Sequence, residues 1–198
     1  MRSAIGRLLA RCAAIACLTL LALAPAAAEV HPVRGFLPDL KFTLQGAGGV
    51  TVTQADFSGK VVLLFFGYAS CPDICPTTMA QLAQLTEALG PQADQVRIVF
   101  VSVDPHRDTP DILQAYVDLF DPNAIGLTGN EKAIAALARR YRVAYQIERP
   151  VSTDPGAPYE VTHSRGIYCF DQQGHARWLA SDSESQEDLL AALRPLLR

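Results

Sequence analysis

Charge is in short supply in this chain, and no extended Lys/Arg cluster follows the first dozen residues. Charged side chains make up 19% of 198 residues, and the net charge is −3. A surface that grips a phosphate backbone needs concentrated basic charge, so nucleic acid is excluded as a partner. Internal repeats and low-complexity tracts are also missing, which removes solenoids and linker-like segments. Cysteine is sparse, at five residues, too few for a disulfide-dense scaffold. What is plentiful is apolar side chain, 49% of the total. That fraction, at this length, supplies one domain with a substantial core.

The first 28 residues differ in kind from the rest. Arg2, Arg7 and Arg11 precede an uncharged run from Cys12 to Ala28, and Ala26-Ala27-Ala28 offers the small residues that a signal peptidase accepts. The apolar stretch from Ala13 to Leu23 suits a signal peptide better than a full span, which needs about 20 apolar residues. Residues 1–28 are therefore expected to be a signal peptide or an N-terminal membrane anchor, and residues 29–198 the exported domain. Either way the domain lies on the periplasmic side, and any membrane attachment runs through residues 12–28.

Export changes the reading of the cysteines. Cys12 and Cys17 belong to the leader, and the domain keeps Cys71, Cys75 and Cys169. Three is odd and sparse, which excludes a stapled framework. In an oxidising compartment, two cysteines four positions apart invite a disulfide or a metal.

Hydrophobic pattern predicts the elements. Residues 29–40 read as a loose entry segment. Lys41–Leu44 and Val50–Thr53 flank the hairpin signal Gly46-Ala47-Gly48-Gly49. Val61–Phe66 is a continuous apolar run, the mark of a strand covered on both faces. Cys75–Leu89 reads as a helix with Pro76 at its first position, ended by Gly90-Pro91. Val96–Val103 is a second buried strand. A helix capped by Asp108 or Thr109 follows, with Ile112, Leu113, Tyr116, Leu119 and Phe120 inward. Asn130–Tyr141 is a third helix, Val143–Glu148 a strand, and residues 149–162 a loop rich in proline. Gly166–Phe170 and His175–Ala180 form strands around Gln172-Gln173-Gly174. Ser183-Glu184-Ser185-Gln186 opens the last helix with capping-box spacing. The order is a hairpin, then β-α-β-α-α-β, a second hairpin and a helix. It predicts an α/β fold, a thioredoxin-like mixed sheet flanked by helices with an N-terminal hairpin.

Gly67–Pro76 (G-Y-A-S-C-P-D-I-C-P) joins the end of a buried strand to a helix N-terminus, where open α/β sheets place their sites. A helix start stabilises thiolate, and soft thiolates favour Cu(I) over hard cations. Thioredoxin-type enzymes separate their cysteines by two residues; three stand here, Pro72-Asp73-Ile74. From the pair alone, metal site, redox pair and structural bridge all stay open. His163, ahead of a late strand, occupies a loop where thioredoxin-like oxidoreductases usually carry a cis-proline. An imidazole there projects toward Cys71 and Cys75, and two sulfurs with one imidazole suit copper.

C-P-D-I-C-P, Ser102–Asp111 (S-V-D-P-H-R-D-T-P-D), Ile125–Gly129 (I-G-L-T-G) and T-H-S before the late strand resemble the Sco/SenC family of copper chaperones. The likeness runs from about Gly35 to Leu197. It implies that Cys71, Cys75 and His163 are copper ligands, for Cu(I) or Cu(II). It also implies that the protein helps assemble the binuclear copper site of cytochrome c oxidase and is tethered by an N-terminal helix. The partner would be the oxidase's copper-site subunit or another copper protein. Y-A-S before Cys71 departs from the family's usual G-[FY]-T.

A metallochaperone is not an enzyme. The rival reading is a thiol–disulfide oxidoreductase that cycles Cys71 and Cys75 as a redox disulfide, served by thiol–disulfide reductants. A peroxidase is disfavoured because Tyr68 stands where peroxiredoxins carry threonine or serine, and zinc competes for the same ligands. Asp73, between the cysteines, and Asp104, at the end of a buried strand, are candidates for contacts just outside the ligands. Asp104 needs a cation, either Arg107 or Arg165. Cys169 reads as a buried inert thiol, and His31, His106 and His175 as surface residues.

Overall fold

The computed structural model describes residues 30–33, 37–148 and 159–198. The leader expected at residues 1–28 lies outside them. Among the described residues no helix is long and apolar enough to cross a membrane.

The frame is a six-stranded mixed sheet. Its central strand β4 (Val61–Gly67) is fully buried along its length, as the unbroken apolar run requires. β1 (His31–Pro32), β5 (Val96–Ser102), β6 (Ile125–Leu127), β9 (Gly166–Phe170) and β10 (Ala176–Ser181) complete it in the order β1-β10-β9-β4-β5-β6. β4, β5 and β6 run parallel, whereas on the other side β9 pairs antiparallel with β4 and β10 antiparallel with β9. Alternate residues of β4 feed opposite layers: Phe65 meets Phe100 on one face, and Phe66 meets Tyr141 and Tyr168 on the other. Parallel β4 and β5 are joined through helix α1 (Ile74–Glu87), the crossover that parallel pairing demands. Helices α2 (Pro110–Val117), α3 (Glu131–Arg140) and α4 (Gln186–Leu193) follow in chain order. The expected N-terminal hairpin is present as β2 (Thr43–Gln45) and β3 (Thr51–Thr53).

Several expectations need correcting. The entry segment is not loose throughout: His31 and Pro32 pair with Leu179 and Trp178, and Val33, Leu37 and Leu40 are buried. α1 starts at Ile74, so Pro76 is its third residue, where an amide would still lack an intrahelical acceptor. Thr109 caps α2 by accepting from the Ile112 amide, while Asp108 turns inward. Ile112 and Leu119 face solvent. Ser185, not Ser183, caps α4, accepting from the Asp188 amide. β6 was not anticipated as a strand. Its Gly126 has no room for a side chain, since a Cβ would fall 2.7 Å from the Leu113 carbonyl carbon of α2.

The largest correction concerns the residues read as a loop over 149–162. Residues 149–158 lie outside the described part, but Glu160–His163 form strand β8. It pairs antiparallel with β7 (Tyr145–Glu148) as a separate two-stranded sheet. His163 is therefore the last residue of a strand, opposite Tyr145, rather than a loop residue.

Candidate metal centre

The carboxyl ends of β4 and β5 open on the same edge of the sheet, and the cysteine segment leaves from that edge. Gly67 closes β4 because nothing larger fits: a Cβ there would lie 2.7 Å from Cys75 Sγ and 2.8 Å from Phe100. The missing side chain lets the sulfur rest against the strand end. Cys75 is the second residue of α1 and fully buried, whereas Cys71 precedes the helix and is half-buried. The Cys75 amide points at Cys71 Sγ at 3.5 Å, an orphan helix-start donor given to a sulfur.

Their acidities diverge accordingly. Burial pushes the Cys71 thiol up, but the Cys75 and Asp73 amides, with hydrogen bonds from Cys75 and Tyr68, outweigh it and leave it below the usual value. Burial raises the Cys75 thiol strongly, and the neighbouring Cys71 charge adds to that. Tyr68 is itself pushed up to about 12, by burial first and then by Cys71.

His163 completes the group. Its Nε2 lies 3.4 Å from Cys75 Sγ, and its Nδ1 lies 3.0 Å from the Ser164 carbonyl oxygen. A carbonyl can only accept, so Nδ1 carries the proton and the Nε2 lone pair faces the sulfur. Burial lowers the imidazole pKa, which keeps the ring neutral at pH 7. Phe65 and Tyr68 brace it edge-on, each with ring centroids 6.0 Å away. The two sulfurs and a ring nitrogen all lie within 4.8 Å of one another. Metal bonds to sulfur and nitrogen of about 2.0–2.3 Å span comparable gaps. Two soft sulfurs and one imidazole suit copper.

The remaining candidates separate cleanly. The Asp73 side chain is exposed and makes no cap bond, so its part in the site is played by its amide at Cys71. Asp104 is fully buried, and its partner is Arg107 at 2.5 Å, whereas Arg165 pairs with Asp182. Cys169 is a buried free thiol outside the group. His106 pairs with Glu131, and His175 with Asp39.

The sequence reading missed the polar floor of the site. Asp108, read as a cap, accepts from the Ser102 hydroxyl at 2.5 Å and from the Ala69 amide at 3.0 Å, holding the cysteine segment to β5. Burial raises its pKa despite those bonds. Tyr159 hydrogen-bonds to Asp104 at 2.8 Å, 55 positions away. The D-P-H-R-D spacing was the available signal for the acids. Nothing local marks Tyr159.

A thioredoxin-type sheet with two thiols and an imidazole at its edge defines a class: a soft-metal-binding protein on a redox-protein scaffold. Comparison with known proteins then fixes the family. Residues 37–198 match SCO1/SenC, and the chain belongs to that family. Protein SenC of Rhodobacter capsulatus is 41% identical over 130 residues, 66% of this chain and 57% of that protein. The mitochondrial SCO2 homolog of Bos taurus is 37% identical over 166 residues, 79% of this chain and 61% of that protein. The chain thus spans less than two thirds of these relatives' length. Among solved structures, copper-bound ScoI of Bradyrhizobium japonicum superposes with TM-score 0.70 at 34% identity, over 80% of this chain and 99% of that one. Apo Sco1 of Thermus thermophilus gives 0.72 at 34% identity, over 85% and 94%.

Proposed function

We propose that this protein carries one copper ion between Cys71, Cys75 and His163 and hands it on during maturation of the binuclear copper site of cytochrome c oxidase. The observation that carries the ligand assignment is geometric: His163 Nε2 lies 3.4 Å from Cys75 Sγ, and a ring nitrogen and the two sulfurs lie within 4.8 Å of one another. Family membership supports the assembly role, and the copper-bound relative supports the metal. The leader pattern of residues 1–28 supports export to the periplasmic side, with or without an anchor. Copper here is cargo. Two ligands come from the turn into α1 and its first residues, and the third from a small separate sheet, which suits a site that must also release.

Titration of Cu(I) into the reduced protein tests the assignment. His163→Ala is expected to weaken binding, and equal affinity in the two proteins would remove His163 from the site. Transfer is tested by mixing copper-loaded protein with a metal-free oxidase copper domain. Copper that stays with the donor would refute delivery to that recipient.

A second reading has an observation of its own. Cys71 is accessible with a lowered pKa and sits beside buried Cys75, the arrangement of an attacking thiol and a resolving one. The pair could then reduce a copper protein's cysteines. A disulfide potential well below about −300 mV would mark an inert bridge instead.

A further inference from the structure

Between β5 and α2 the chain makes a short turn that touches both halves of the metal centre. Its first half-contact is the Asp108 carboxylate on the Ala69 amide, just ahead of Cys71. The second reaches the sheet that bears His163. Arg107 donates through Nε to Asp104 and through Nη1 to the Tyr159 carbonyl oxygen at 3.1 Å. Its guanidinium carbon sits 3.8 Å from the centroid of the Tyr159 ring and 5.5 Å from that of Tyr68. The Tyr159 hydroxyl donates to the other oxygen of Asp104. Tyr159 is thus held by main chain, ring face and hydroxyl, immediately before β8.

We propose that Asp104, Arg107 and Tyr159 form a latch that holds β8, and with it His163, closed against the cysteines, so that they are positioning residues for copper retention and release. The latch presupposes the copper-carrying site proposed above. Its physical basis is the difference in support between the ligands. Cys75 is built into a helix packed on the main sheet. Among the described residues, His163 ends a strand that pairs with β7 alone, in a two-stranded sheet outside the main one. Two-stranded sheets are marginal without further packing. A buried carboxylate bonded to arginine and to a phenol supplies it, because charge-assisted bonds inside a protein are strong and directional. Opening the latch withdraws one of three ligands while both sulfurs keep the metal, a stepwise route to transfer.

The test compares wild type with Arg107→Gln, Tyr159→Phe and a matched control, Arg177→Gln. Arg177 pairs with buried Asp171 at 3.1 Å with similar exposure, 30% against 28% for Arg107, at the opposite end of the sheet. Copper loss to a soluble chelator is timed, and the copper–thiolate absorption spectrum is recorded. Changes around metal ligands typically cost about ten- to hundredfold in affinity. Arg107→Gln is expected to release copper about tenfold faster and to shift the spectrum. Tyr159→Phe keeps the ring and should show a smaller change in the same direction, while Arg177→Gln should match wild type. Equal loss rates in all four proteins, or equal acceleration in Arg177→Gln, would overturn the latch. If wild type binds no copper, the site reading fails instead. Amide exchange of Tyr145–Glu148 and Glu160–His163 in the metal-free protein then decides the latch. It stands if exchange is faster in Arg107→Gln than in Arg177→Gln, and falls if the two are equal.

Discussion

The same helix start treats its two thiols in opposite ways. Cys71 lies ahead of the helix, where backbone amides aim at its sulfur, and its pKa falls; Cys75 is sealed under Gly67 and Phe100, and its pKa rises. The sign of the consequence follows directly. At any pH between the two values Cys71 is largely thiolate and Cys75 largely thiol, so an alkylating reagent meets one nucleophile. Reduced, metal-free protein is expected to lose Cys71 first, with a pH midpoint shifted down from that of an unperturbed thiol. Peptide mapping after brief alkylation checks this; equal labelling of Cys75 would contradict it. Gly67 provides a second residue-scale prediction. Gly67→Ala forces a methyl into the space of Cys75 Sγ, 2.7 Å away, and into the Phe100 ring. Overpacking of this kind costs about 1–3 kcal/mol, so chemical denaturation should show that loss. Copper binding should weaken as well, because the displaced atom is a proposed ligand.

At the scale of elements, what the sequence revealed depended on how local the cause was. The buried strand β4 and helix α1 are legible because their apolar patterns are continuous and their stops are chemical. Cys71, Cys75 and His163 were legible as a group because the first two share a turn and the third stands just before a late strand, where a thioredoxin-like scaffold faces its cysteines. β6 was not legible: three residues are too short to carry a period, and its pairing with Val99–Val101 is fixed by β5. Neither was β8, since its strand character comes from β7 across a proline-rich interval. Asp108 and Thr109 stood as alternative caps because both precede Pro110; Thr109 is the cap, and only the buried Ser102 hydroxyl shows the partner of Asp108. β6 nonetheless makes a testable claim. Gly126 lies so close to α2 that Gly126→Ala must push the helix outward. A loss of about 1–3 kcal/mol in unfolding free energy, read by chemical denaturation, is expected, with copper affinity unchanged, since the contact is with α2 and not with any proposed ligand. A simultaneous loss of copper affinity would mean that the α2 packing also shapes the site.

For the whole molecule, the spacing of the proposed ligands turns copper binding into a measure of folding. Cys71 and Cys75 are four positions apart and remain neighbours in the unfolded chain, so that chain can also hold soft metal with two thiols. His163 is 88 positions from Cys75, and only the folded sheet brings it to the sulfurs. Binding to the native state alone stabilises it by about 4 kcal/mol at a thousandfold excess over Kd, and any binding to the unfolded state subtracts from that. In a domain of this size each kcal/mol moves Tm by about 2–4 °C. Reduced wild type with Cu(I) is therefore expected to melt up to about 16 °C above the metal-free protein. His163→Ala should lose most of that gain while still binding copper through its thiols, because folded and unfolded chains then offer the same two ligands. Calorimetry on the four samples reads the difference. An equal rise in both proteins would remove His163 from the site, since the native preference for copper would then come from the folded cysteine segment without it.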